Sequence, residues 1–330
     1  MSVADLSVPA QSLLKLAKEA QRKGKVPQAT ELYSELLTYD PDQPDALHFL
    51  GVVDYQDGRL AQGCARIEAA VRARPEAADF LNNLGTVYLG LNRTADALKV
   101  YTRSVELAPK NASFAANLAV ALSKLGQPAA AIALARKILA DHPGYPAALN
   151  VIGNASRLLG EYQQALTAYT ELVARTPNDP DAYYNLGVAQ QDLWDMAGAR
   201  ASYEKAISMK ADVARYYVNH GAALMKLHEV ALAGQSYAKA LALDPTLAEA
   251  HYNYAICLFL LGDLKAGATE YEWRLKVDET SLSKPRSMDV PVWDGTPSPG
   301  KTVLLHSEQG LGDMLQFIRF APAVAAMVGQ

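Results

Sequence analysis

The sequence predicts an all-α chain, a superhelical solenoid of about eight helix–turn–helix repeats followed by a short, incomplete β–α unit. Three observations predict it. Pro41, Pro75, Pro109, Pro143, Pro177 and Pro245 share one 34-residue grid, broken only at Ala211. Twenty-four residues before each grid point stands a small residue: Ala17, Gly51, Gly85, Ala119, Gly153, Gly187, Gly221 and, one period on, Ala255. Twelve residues after each of these comes another: Ala29, Gly63, Ala97, Ala131, Ala165, Ala199, Ala233 and Gly267.

The elements follow in order. Residues 1–9 form an N-terminal tail, and residues 10–281 hold eight repeats of 34 residues. In each repeat the first small residue lies on a helix A and the second on a helix B, so that the two helices can approach closely. Gly24, Gly58, Gly126, Gly160 and Gly262 fall in the turn between them, where a helix C-terminus favours glycine. An aromatic four residues beyond the second small position (Tyr33, Tyr101, Tyr169, Tyr203, Tyr237, Tyr271) fills space towards the next repeat. The grid proline then ends helix B. The first repeat carries Lys15 and Ala20 at positions that are Asn and aromatic or Leu later, as suits a solvated cap. Residues 282–300 read as a linker rich in Pro and Gly. Residues 301–330 hold a β-like run, Thr302–His306, then a glycine turn, then a helical pattern through Met314, Phe317, Ile318, Phe320 and Val324.

The third repeat, with Leu81, Leu84, Gly85, Tyr88, Ala97, Tyr101 and Pro109, resembles the tetratricopeptide repeat (TPR) family. That resemblance covers about four-fifths of the chain. It implies a groove lined by the A helices and a partner that is an extended peptide or protein. Position six of the A helices reads Asn83, Asn117, Asn185, Asn219 and Asn253, with Val151 interrupting and Asn150 one place away. An asparagine offers an acceptor and two donors, so a row of them can hold a peptide backbone whatever its side chains. This row is similar to the asparagine ladder of O-GlcNAc transferases; the same amides can equally bond within the stack. Position five reads His48, Asn82, Ala116, Asn150, Tyr184, Val218 and Tyr252, without a lysine, which disfavours the clamp that holds chaperone C-terminal carboxylates.

The tail carries a second resemblance. Pro291, Trp293 and Gly295, then Gly300-Lys301-Thr302 with Leu304-Leu305, then Glu308-Gln309-Gly310 with Gly312-Asp313, and Phe317, Arg319 and Phe320 look like the junction of bacterial TPR proteins with a glycosyltransferase-like domain related to heptosyltransferases. The resemblance implies that Asp313 is a general base and that Gly310 and Gly312 shape a sugar or phosphate loop. Asp313 could equally serve as a helix N-cap or first-turn acid. A full transferase needs a larger sheet and a second domain, so this chain is expected to be a truncated part that does not catalyse alone. A nucleotide sugar enters only with a full-length form.

Composition narrows the alternatives. Lys and Arg number 31 against 35 Asp and Glu, a net charge of −4, which offers nucleic acid or an anionic membrane no basic footprint. The uncharged run Ala255–Leu261 is too short to span a bilayer. Two cysteines and six scattered histidines predict neither a disulfide framework nor a metal site, and no cofactor is implied. A cytoplasmic location is the economical expectation.

Overall fold

The structure, a computed structural model, describes residues 8–277, 293, 295–305 and 318–328. Among them are seventeen α-helices, which fall into two compact units, Met1–Asp195 and Met196–Gln330. The first unit holds α1 (Val8–Arg22), α2 (Val26–Tyr39), α3 (Pro44–Gln56), α4 (Leu60–Ala73), α5 (Ala78–Gly90), α6 (Thr94–Leu107), α7 (Ala112–Lys124), α8 (Pro128–Asp141), α9 (Pro146–Leu158), α10 (Tyr162–Arg175) and α11 (Pro180–Asp192). The second holds α12 (Met196–Met209), α13 (Ala214–Lys226), α14 (Val230–Leu243), α15 (Ala248–Leu260), α16 (Leu264–Tyr271) and α17 (Ala321–Val328). Up to α16, odd-numbered helices are A helices and even-numbered ones B helices, the expected TPR solenoid.

Backbone chemistry sets both boundaries of the repeats that carry the grid proline. Helix B stops two residues before each grid proline, because the residue preceding a proline is driven out of the helical region. Asp40, Arg74, Ala108, His142, Thr176 and Asp244 all take φ between −141° and −128° with ψ between 63° and 96°. At the turn from A to B one residue per repeat is left-handed. Glycine fills it at the five predicted positions, but the same conformation recurs at Asn92 (φ 58°), Trp194 (φ 62°) and His228 (φ 62°). The conformation therefore belongs to the turn, whichever residue occupies it.

Packing explains the small positions. An alanine Cβ built at Gly85 would lie 2.6–2.8 Å from the ring of Tyr101, and one at Gly221 would lie 2.9–3.1 Å from the ring of Tyr237. The helix B tyrosine is thus seated on the helix A glycine of its own repeat. Tyr33 also reaches Phe49 of the next repeat, with ring centroids 4.9 Å apart. Tyr33, Tyr101, Tyr169, Tyr203 and Tyr237 are all buried, as are the small-position alanines Ala17, Ala29, Ala97, Ala119, Ala131, Ala165, Ala199, Ala233 and Ala255. Three of their hydroxyls have side-chain partners: Tyr33 donates to Gln21, Tyr169 to Asn154, and Tyr101 pairs with Thr86.

At the end of the repeats a 3-10 segment, Glu272–Lys276, covers the flank of α15. Trp273 stacks on His251 with centroids 3.9 Å apart, and the Lys276 ammonium lies 3.8 Å from the Trp273 ring centre. His251 Nδ1 pairs with Glu270, and its Nε2 with the Pro245 carbonyl at 3.0 Å.

The C-terminal expectation needs correcting. Residues 302–305 of the β-like run carry no regular structure, and among the described residues there is no strand for them to pair with. The helix that follows is confined, among the described residues, to a 3-10 turn at Ile318–Phe320 and to α17. The Ser298 and Gly300 amides donate to the Met327 and Val328 carbonyls at 2.9 and 2.8 Å, satisfying the last turn of α17.

Candidate functional site

The A helices of the first unit approach one another directly, α3 with α5, α5 with α7 and α7 with α9. Each also rests on its own B helix, so the A layer is the closely spaced one. The asparagines lie along it. Asn83, Asn117, Asn150, Asn185, Asn219 and Asn253 are all half-buried, four in the first unit and two in the second.

Side-chain bonds tie these amides to the A helix before in two stretches, interrupted between Asn117 and Asn150, where Ala116 and Val151 offer no amide. Asn83 Nδ2 lies 2.9 Å from His48 Nε2, Asn117 Nδ2 donates to Asn82 Oδ1 at 2.9 Å, and Asn185 Nδ2 donates to Asn150 Oδ1 at 3.1 Å. Each bond spans 35 residues, from position six of one repeat to position five of the one before. Asn154 adds a further donor to Asn150 Oδ1 at 3.3 Å. The amides therefore spend one N–H inside the stack, while the carbonyl oxygens of Asn117 and Asn185 have no partner among the described residues. A ligand group that donates hydrogen bonds is what such oxygens accept.

Sequence reasoning named Asn150 for the row but overlooked His48 and Asn82 as position-five acceptors, although the spacing of 35 was present to be read. His48 accepts at Nε2 from an amide that can only donate, so its own proton sits on Nδ1 and the ring is neutral. Burial, including a stack on Phe80 at 4.1 Å, holds its pKa below the usual histidine value; Asp79 and Asp45 oppose this without reversing it. Burial also pushes the Asp45 carboxyl up, but the Arg74 fork at 3.0–3.1 Å and Lys18 at 2.9 Å outweigh it and bring the group below the usual carboxylate range.

The remaining predicted residues are placed as follows. Asp313, Gly310 and Gly312 lie outside the described residues. Cys64 and Cys257 are free and buried, and burial pushes the Cys257 thiol up to about 11. No three His, Cys, Asp or Glu side chains among the described residues come together as metal ligands. No described helix is long and apolar enough to cross a membrane.

Models of the tetratricopeptide repeat match residues 14–63, 54–112, 88–154, 180–213, 214–247 and 236–267, and one described as TPR repeat matches 153–193. Together they run without a gap from residue 14 to residue 267. No curated protein matches the chain. Solved structures with this fold include a tetratricopeptide repeat protein from Parabacteroides merdae, at 18% identity and a TM-score of 0.63, covering 76% of this chain and 100% of that one. The Cut9–Hcn1 hetero-tetramer of the APC/C gives 19% identity and a TM-score of 0.63, over 82% of this chain and 53% of that one. PilF of Pseudomonas aeruginosa gives 23% identity and a TM-score of 0.56, over 64% and 96%. At these identities the likeness concerns the fold.

Proposed function

We propose that this chain, which belongs to the tetratricopeptide repeat family, binds an extended peptide segment of a partner protein along its A-helix groove, through the side-chain amides of Asn83, Asn117, Asn150 and Asn185, with Asn219 and Asn253 acting alike in the second unit. The observation that carries the reading is the amide row itself. Its internal bonds orient the amides of Asn83, Asn117 and Asn185 in advance, which lowers the ordering cost of binding, and leave the Asn117 and Asn185 oxygens for peptide N–H groups. Buried free cysteines and a near-balanced charge fit a cytoplasmic scaffold.

The test uses peptides selected from a random library on the whole chain. Asn117→Ala with Asn185→Ala should weaken a selected peptide by about tenfold or more, two hydrogen bonds at about 1 kcal/mol each, with helicity retained. Methylating alternate backbone nitrogens of the peptide should cost as much without touching the protein. Unchanged binding in both arms would refute the reading. Weakening by the protein variants alone, accompanied by lost helicity, would assign the asparagines to the stack.

A second reading rests on the tail motifs from Pro291 to Phe320: the repeats serve as the substrate-recognition arm of a bacterial glycosyltransferase, with Asp313 as base and Gly310 and Gly312 at the sugar or phosphate loop. It predicts that a protein extended beyond Gln330 transfers a sugar from a nucleotide sugar and loses that activity with Asp313→Asn. Transfer undiminished in the variant would remove Asp313 from the chemistry.

A further inference from the structure

The net charge of −4 conceals one local excess of cations. Lys15, Lys18 and Arg22 stand at i, i+3 and i+7 on α1, a spacing that puts them on one face of the helix. Ala10, Leu14, Ala17 and Ala20 take another face and are buried. Lys15, Lys18, Gln21 and Arg22 are exposed and, among the described residues, line an open cleft of about 670 Å³. Lys15 holds the helix A position that is Asn83 two periods later and Asn117 three periods later. The first repeat thus carries a cation where the later ones carry the amide.

The neighbouring carboxylates are already engaged. Lys18 pairs with Asp45 at 2.9 Å, and Arg74 holds the same carboxylate at 3.0 and 3.1 Å. Lys23 bonds Glu19 at 2.7 Å and holds its carboxyl below the ordinary value, with Arg22 and Lys15 adding to the effect from farther off. Lys15 and Arg22 form no ion pair among the described residues. The Lys18–Asp45 pair also joins the cleft to the amide row. Asp45 lies one turn before His48 on α3, and His48 Nε2 is 2.9 Å from Asn83 Nδ2.

We propose that this cleft holds acidic side chains of the peptide that the amide row binds, an inference that rests on that reading. Charge complementarity selects the occupant, because cations without partners of their own attract carboxylates. From Lys15 to Arg22 the helix advances about 10 Å, seven residues at about 1.5 Å each. An extended peptide covers that distance in about three residues. The cations therefore match a short run of Asp or Glu rather than a single terminal carboxylate. Each exposed ion pair supplies about two- to threefold in affinity, so Lys15 and Arg22 together supply about fivefold.

The experiment titrates the whole chain, at low ionic strength, with N-acetyl-hexaglutamate amide and N-acetyl-hexaglutamine amide, neither of which has a terminal carboxylate. The acidic probe should bind about fivefold more tightly or better, and the preference should fade as salt is raised. Lys15→Gln with Arg22→Gln should abolish most of it. Lys110→Gln with Lys137→Gln, an equal loss of charge elsewhere in the first unit, should leave it intact. All four residues are exposed, so neither variant disturbs the core. A library-selected peptide should gain about fivefold from four glutamates added at one end and nothing from the same addition at the other. Equal affinity for the two probes, equal losses in the two variants, or a gain at both ends or neither would overturn the proposal. Tighter binding of hexathymidylate than of the hexaglutamate would overturn it in favour of a phosphate backbone. None of these outcomes bears on the N-methylated peptides that test the amide row, so failures of the two readings are told apart.

Discussion

Replacing Gly85 by alanine isolates the contact that seats one helix of a repeat on the other. The added methyl would lie 2.6–2.8 Å from three carbons of the Tyr101 ring, closer than real contacts allow. That ring is 1% exposed and its hydroxyl is held by Thr86 at 3.0 Å, so it cannot swing aside without giving up both burial and a hydrogen bond. Overpacking of this kind costs about 1–3 kcal/mol, and the better helix propensity of alanine returns about 0.5–1. A net loss of about 1–2 kcal/mol is expected, read as a lower urea midpoint by ellipticity. The mechanism is tested by repeating the substitution beside Tyr101→Ala, which recreates the Ala119 and Ala135 pairing already present in the fourth repeat. Tyr101→Ala alone should cost about 3–5 kcal/mol. In that background Gly85→Ala should be neutral or stabilising, a coupling of about 1–3 kcal/mol. Equal destabilisation in both backgrounds would refute the idea that the ring dictates the glycine.

Other outcomes follow from the same structure. His228→Gly should raise stability by about 1 kcal/mol, because φ of 62° costs a side-chain-bearing residue about that much and glycine nothing; an unchanged or lower melting temperature would contradict it. Burial lowers the pKa of both His48 and His220, so below the ordinary histidine value of about 6.5 the unfolded chain binds more protons than the folded one. Stability should therefore fall as pH drops from about 7.5 to 5.5 and be flat from about 7.5 to about 8, where cysteine ionisation in the unfolded chain begins. His48→Gln, which keeps an acceptor for Asn83, should shrink the slope measured by urea midpoints across that range.

The repeat was legible because each signature position answers to one local steric demand. A proline forces its predecessor out of the helix, a left-handed turn favours glycine, and a glycine beneath a tyrosine leaves room for the ring. Where the demand could be met by a residue without that signature the sequence was silent, as at Asn92, Trp194 and His228. The asparagines were legible as a row, but not the direction of their bonds, since that depends on how far one repeat is offset from the next. Only the structure places position six of one A helix against position five of the one before it. Residues 302–305 of the expected strand carry no regular structure for the opposite reason: a short apolar run states a preference for extended backbone but not a partner strand.

The central claim is that the amide row holds a peptide by its backbone. The most direct measurement compares, on the unaltered chain, the affinity of one library-selected peptide with that of the same peptide N-methylated at alternate residues. The account predicts that one methylation register weakens binding by about tenfold or more while the other has little effect, because only alternate N–H groups of an extended strand face the groove. Equal affinity for all three peptides would contradict it.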